Sequence, residues 1–197
     1  MDPITLEDVW AARQRIAPYL SPTPLYRWPG LANRLGFDFW RKHENHQPTG
    51  AFKVRGGVNL VAAATAAERQ AGFIGVSTGN HGQSLAFAGR QFQSPVTIVT
   101  PVGNNPDKNR AIRNWGARLI EHGRDFDEAK DYCEQLAQGE NCRYVHSANE
   151  PLLIAGVATW ALEVLEQGPA PDVLLVPIGL GSSAAGAALT AHWRSPH

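Results

Sequence analysis

The stretch FIGVSTGNHGQSLAFAGRQF, residues 73–92, holds a change of period that decides the fold. Its first five residues, FIGVS, read as a short strand, and residues 81–92 read as a helix. Between them the loop STGNHGQS, residues 77–84, sets Gly79 and Gly82 among hydroxyl, amide and imidazole side chains. A strand that passes through a polar turn into a helix is the first half of a parallel crossover unit.

The same alternation continues on both sides. Upstream, residues 53–69 predict one alanine-rich helix. Downstream come a strand of β-branched residues in VTIVTP and a helix over 106–115 with Pro106 in its first turn. A strand in ARLIEH follows, then a helix whose apolar face is Phe126, Ala129, Cys133, Leu136 and Ala137. CRYVHS is a strand, 151–165 a helix, DVLLVPI (172–178) an apolar strand, and 184–192 a final helix. Before the alternation begins, residues 5–19 predict a helix with Thr5 as N-cap and Asp8 completing a capping-box-like start. SPTPL must be extended, 31–35 is a short helix ended by Gly36, and FDFWRKHE (37–44) is a strand. Strands alternating with helices imply an α/β fold of three α/β/α layers with parallel sheets.

The totals exclude several function classes. Among 197 residues, 18 Lys and Arg balance 18 Asp and Glu, with no block of like charge. A nucleic-acid or membrane-surface partner would want a basic patch, so neither is expected. No segment approaches the roughly 20 apolar residues of a membrane span, and MDPITLEDVW is not a signal peptide. The two cysteines, Cys133 and Cys142, suit a reducing compartment, and with His146 they give no recognised metal spacing. A cytoplasmic protein without a metal is expected.

Ligands of open parallel sheets bind beyond the carboxyl ends of the strands. Two predicted strand ends carry unusual loops. After Ile178 comes GLGSSAAG (179–186), where Gly179 and Gly181 permit tight turns and Ser182 and Ser183 can cap a helix. Amide groups converging there suit a phosphate, although a plain strand-to-helix turn would read similarly. STGNHGQS also opens a helix and suits a carboxylate or phosphate, or is an elaborate N-cap built on Ser77 or Asn80. A third segment, HENHQPTGAFKVRGG (43–57), sets Lys53 near a helix start, where the macrodipole does not favour it. Such a lysine is solvated, or is shielded by Phe52 so that its amine loses proton affinity and suits Schiff-base chemistry.

Taken in order, PTGAFKVRGG, STGNHGQS and VPIGLGSSAAG resemble the lysine, substrate and phosphate segments of one family. That family is the fold type II pyridoxal-phosphate enzymes of the threonine/serine dehydratase (ammonia-lyase) group. The resemblance covers almost the whole chain. It implies that Lys53 bonds covalently to pyridoxal 5'-phosphate and later moves the Cα proton. It implies that Phe52 packs on the cofactor ring and that Asn80 bonds its phenolic oxygen. Ser77, Thr78, Gly79, Asn80 and His81 would hold the substrate carboxylate. Gly179, Leu180, Gly181, Ser182 and Ser183 would cradle the phosphate. The implied reaction is α,β-elimination from L-threonine or L-serine to a 2-oxo acid and ammonia. Amino-acid racemisation, with Ser77 as the second acid–base group, is the alternative enzyme. An inactive product keeping only the cofactor-loop geometry is the non-enzymatic reading.

Two departures from the family pattern stand out. Its usual phosphate loop is four glycines, whereas this one reads Gly179-Leu180-Gly181-Ser182. Members usually run to about 300 residues or more, above the common domain size. A C-terminally shortened chain is therefore expected, lacking the pyridine-nitrogen partner, with DVLLVPI uncovered and solubility poor. By the same resemblance, 67–148 would be a small domain inserted between 1–66 and 149–197 of a large one. A homo-oligomer is expected of a complete protein. His43 and His46 read as strand-end or loop residues, and Arg55 as a surface or inter-subunit contact. Asn104 and Asn105 suit a turn, and Trp28, Trp40, Trp115 and Trp160 suit packing.

Overall fold

The computed structural model describes residues 4–194. Helix α1 (Leu6–Ile16) begins as the sequence predicts. The Thr5 hydroxyl accepts from the Asp8 N–H, and the Asp8 carboxylate accepts from the Thr5 N–H. Strand β1 (Leu25–Arg27) pairs antiparallel with β2 (Trp40–Lys42), and α2 (Pro29–Leu35) lies between them in sequence. Gly36, at φ +80°, ends α2. Pro24 and Pro29 flank β1 and carry no N–H, which keeps this ladder to three pairs. The strand expected over 37–44 is trimmed accordingly.

A short 3-10 turn (Glu44–His46) leads toward α3 (Lys53–Ala63), after which α4 (Ala66–Ala71) starts a new axis. The single helix expected over 53–69 is thus two. Thr65 and Glu68 form a complete capping box, so Thr65 takes an extended backbone and caps α4.

The alternating region follows as β3 (Phe73–Val76), α5 (Asn80–Phe92), β4 (Val96–Thr100) and α6 (Pro106–Asn114). It continues through β5 (Arg118–Glu121), α7 (Phe126–Gly139) and β6 (Arg143–Tyr144). These strands form one parallel sheet in the order β5-β4-β3-β6. Register sets Phe73 beside Val96 and Val76 beside Val99. Because side chains alternate along a strand, each pair serves one face. Phe73, Val96 and Ile98 join the core with Leu85 and Ile112, while Ile74, Val76 and Val99 pack against Ala129, Cys133 and Ala137 of α7. Helix, sheet and helix therefore make the three expected layers.

Helix α8 (Pro151–Gln167) crosses α3 at close range. A Cβ on Gly156 would lie 2.6 Å from the Arg55 carbonyl oxygen, so the crossing requires glycine there. Helix α9 (Ser182–Arg194) then packs on α8, starting two residues earlier than predicted.

The strand expected at 172–178 is not formed, because among the described residues no strand runs beside it. Side chains still alternate there. Leu174 and Val176 pack against the cluster of Val157, Trp160, Ala161 and Ala187. Val173 (74%), Leu175 (84%) and Ile178 (73%) are exposed, matching the uncovered surface expected of DVLLVPI. The described residues consequently hold one four-stranded parallel sheet and one antiparallel pair. Trp160 and Trp115 pack as expected, but Trp28 is 43% exposed.

Candidate active site

Lys53 is the first residue of α3 and projects into a cleft where three distant segments meet. Its Nζ donates to the Ser147 carbonyl at 3.0 Å and to Ser182 Oγ at 2.8 Å. Burial pushes the amine below the ordinary lysine range, as expected for a cation with polar but uncharged partners. Phe52 caps α3 from the adjacent position, with Lys53 Nζ 5.8 Å from its ring centre.

Ser182 begins α9, and the turn before it has Gly181 at φ +97°. Leu180 thus tolerates its place in the loop because glycine takes the left-handed position beside it. The first amides of α9 are unused by the helix, as at any helix start. Ser183 Oγ accepts from Trp160 Nε1 at 3.2 Å, which fixes this end of α9 to α8. A cleft of about 420 Å³, within the range that small ligands occupy, is lined by His146, Asn149, Ile154, Leu180, Gly181 and Ser182.

The loop after β3 is shaped by Ser77. Its buried hydroxyl accepts from the Gly79 N–H at 3.1 Å and the Gly82 N–H at 2.9 Å. Thr78 is exposed, and its carbonyl accepts from Asn104 Nδ2 at 3.3 Å. Asn80 starts α5 and is exposed. His81 is buried, with Nε2 3.3 Å from the Val145 carbonyl, so Nε2 carries the hydrogen and Nδ1 is left without a protein partner. Burial, then the nearby Lys53 and His146 charges, push its pKa down to about 3, against the Val145 bond. Leu180, Gly181 and Ser182 line the cleft and Lys53 reaches it through Ser182, whereas Phe52 packs on the cluster of Val157, Trp160, Ala161 and Ala187. His81 comes close enough to feel the Lys53 charge, whereas Gly179 is exposed with open space around its Cα.

Arg55 corrects the sequence expectation. It is 1% exposed, not a surface or subunit contact. Two residues beyond Lys53 on a 3.6-residue turn, it leaves the opposite side of α3. Its guanidinium donates to Glu44 at 2.7 and 2.8 Å, to Glu163 at 2.7 and 2.9 Å, and to Thr159 Oγ1 at 3.2 Å. Lys42 completes the group through Glu163 at 2.6 Å. Two cations and two anions thus cancel behind the lysine turn.

Sequence reasoning missed the third strand end. Beyond β6, Ser147 accepts from Lys53, while the His146 Nδ1 accepts from the Ala148 and Asn149 N–H groups at 3.1 and 2.8 Å. The rule that ligands gather at strand carboxyl ends applied equally to CRYVHS.

The cleft tests well for a phosphorylated aldehyde. It offers an amine of lowered proton affinity, a helix start with free amides beside it, and an orphaned imidazole nitrogen nearby. Residues 16–197 match the family described as pyridoxal-phosphate dependent enzyme, and the chain belongs to it. It is 35% identical to an L-threonine ammonia-lyase of Thermotoga maritima over 193 residues, covering 98% of this chain and 48% of that protein. A pyridoxal 5'-phosphate-dependent aspartate racemase superposes with a TM-score of 0.93 at 32% identity, covering all of this chain and 61% of the other. The Dictyostelium discoideum serine racemase gives 0.92 at 30% identity, covering 98% of this chain and 63% of the other. The chain spans about half the length of the Thermotoga relative. Its fold is that of fold type II enzymes.

Proposed function

We propose that the chain binds pyridoxal 5'-phosphate at Lys53 and acts on L-threonine or L-serine, releasing a 2-oxo acid and ammonia. The observation that carries this reading is the 2.8 Å bond from Lys53 Nζ to Ser182 Oγ, which joins the lysine to the glycine-bearing loop. The ammonia-lyase among the relatives supports the reaction class.

Bound pyridoxal phosphate supplies an electron-accepting ring that stabilises negative charge at the substrate Cα. The protein's own residues do the rest. Gly181, Ser182 and Ser183 would hold the phosphate at the α9 start, with Gly179 and Leu180 completing the turn. Lys53 Nζ, its positive form disfavoured by burial, would hold the cofactor covalently and, once displaced by the substrate amine, would be the free amine that takes the Cα proton. Phe52 would pack on the ring and Asn80 would donate to its phenolic oxygen. Ser77 already satisfies the Gly79 and Gly82 amides, so the N–H groups of Thr78, Asn80 and His81 remain for the substrate carboxylate. Fixing that carboxylate sets the Cα–H bond perpendicular to the ring.

Residues 67–148, which contain the whole parallel sheet, would form a small domain between the flanks 1–66 and 149–197. Closure of its 77–80 loop would exclude water. The amino-acid substrate is the partner; among the described residues no helix is long and apolar enough to cross a membrane. A cytoplasmic homo-oligomer fits this reading.

Racemisation is the second reading, favoured by the two racemase structures. Ser77 Oγ spends its acceptor capacity on the loop, so its hydrogen is free, and Ser77 would be the second acid–base group. Incubation with L-serine, with pyruvate and D-serine both assayed, separates the two. Pyridoxal phosphate added to the protein gives a visible band that borohydride fixes on Lys53, and Lys53→Ala abolishes it. A folded wild type without that adduct would refute the cofactor assignment.

A further inference from the structure

Ser84 lies in the second turn of α5 and is fully buried. Its hydroxyl donates to the Lys53 carbonyl at 2.6 Å and accepts from the Gly57 N–H at 3.2 Å. Residues 53 and 57 stand four apart, and their carbonyl and amide are the groups that close the first turn of an α-helix. A hydroxyl has one hydrogen to donate and lone pairs to accept with, so one side chain can serve both. Ser84 of α5 therefore bonds both backbone groups of the first turn of α3, at the residue that carries the reactive amine.

Gly57 makes room for this. A Cβ there would lie 2.4 Å from Ser84 Oγ and 2.6 Å from the Ser84 carbonyl oxygen. Any larger residue would push α5 away from the lysine turn. Helix α5 also begins at Asn80, where the loop shaped by Ser77 ends. One rigid helix thus runs from the loop at 77–80 to the main chain of Lys53, over little more than one turn.

We propose that Ser84 is a positioning residue for Lys53, its hydroxyl clamped on the first turn of α3 so that the lysine turn and the 77–80 loop hold a common geometry. Without the hydroxyl, the first turn of α3 loses its anchor to α5, and the amine loses its fixed place beside Ser147 and Ser182. The proposal rests on the reading of Lys53 as the cofactor lysine, and its test separates the two.

Ser84→Ala removes one oxygen from the intact chain. Thr65→Ala, which removes the cap of α4 far from the lysine, is the control for lost stability. The first readout needs no cofactor: acetylation of each lysine by acetic anhydride across pH, followed by peptide mass spectrometry. The titratable groups near Lys53 are His81 and His146, and neither is altered in these variants. In wild type, Lys53 acetylates with a midpoint below that of an α-N-acetyl-lysine amide standard. The expected result is that Ser84→Ala moves the Lys53 midpoint up toward that of the lysine standard, while Thr65→Ala leaves it in place. The second readout is the pyridoxal phosphate dissociation constant, from the visible band. It rises about tenfold in Ser84→Ala and stays near wild type in Thr65→Ala. A Ser84→Ala protein that melts earlier but keeps the wild-type Lys53 midpoint and dissociation constant would overturn the proposal. Were wild type to form no Lys53 adduct, the cofactor reading would fall, and the acetylation midpoints would still decide the role of Ser84.

Discussion

His81 is a buried base, and it should make the protein acid-sensitive in a measurable way. The folded ring protonates only near a pKa of about 3, against an ordinary value of 6.5. Above pH 6.5 the ring is neutral in folded and unfolded chains alike, and its burial costs nothing in proton binding. As pH falls through 6.5 the unfolded chain takes up a proton that the folded chain refuses, so stability declines. The decline continues to about pH 3 and then stops, because both states are protonated. Each pH unit inside the window is worth at most about 1.4 kcal/mol. From pH 7 to pH 5 the loss from this residue alone is therefore about 2 kcal/mol. Urea unfolding of wild type and His81→Gln at both pH values isolates that amount, since every other group titrates equally in the two proteins. His81→Gln should lose about 2 kcal/mol less than wild type over that interval. An imidazole NMR titration gives the direct check, with the His81 signal unmoved down to pH 5. Equal losses in the two proteins, or a His81 ring titrating near 6.5, would refute the argument.

Other expectations concern packing and surface. Gly156→Ala would force a methyl group to 2.6 Å from the Arg55 carbonyl, so α3 and α8 must part, at a cost of about 1–3 kcal/mol read from the melting temperature. Thr65→Ala should cost about 1 kcal/mol through loss of its cap, again by thermal melt. Replacing exposed Val173 and Leu175 together by serine should reduce self-association in light scattering, while stability stays within about 0.5 kcal/mol. Lys53→Ala should leave the melt near wild type or higher, because it removes a partly buried cation that lacks an anionic partner.

The alternating part of the fold was legible because FIGVS, VTIVTP and ARLIEH have side chains that suit a buried pleat and are punctuated by turn residues. Elements whose form depends on a neighbour were harder to read. Residues 172–178 have the composition of a strand, but pairing is a property of two segments, and among the described residues no second one stands alongside. The break between α3 and α4 did have a local signal, the Thr65–Glu68 capping box, hidden within an alanine-rich run. At the site, Lys53 and the loops at 77–84 and 179–186 were recognisable as motifs. Ser147 was not, since it contributes only a backbone carbonyl, and no side-chain pattern encodes that. Ser84 was invisible for a related reason: its meaning lies in the 2.6 Å approach of a helix distant in sequence.

The charges gathered around Arg55 restrict how this chain can change. Glu163 is shared between Lys42 and Arg55, and Arg55 between Glu163 and Glu44, so replacing any one member leaves another buried and unbalanced, at a cost of about 3–5 kcal/mol. A similar volume of apolar side chains could replace the group at little net cost, but only if several positions changed together. Single-step mutational walks are therefore blocked at Lys42, Glu44, Arg55 and Glu163, although a viable sequence lies a few substitutions away. Redesign of the wall behind the lysine must exchange the quartet as one unit.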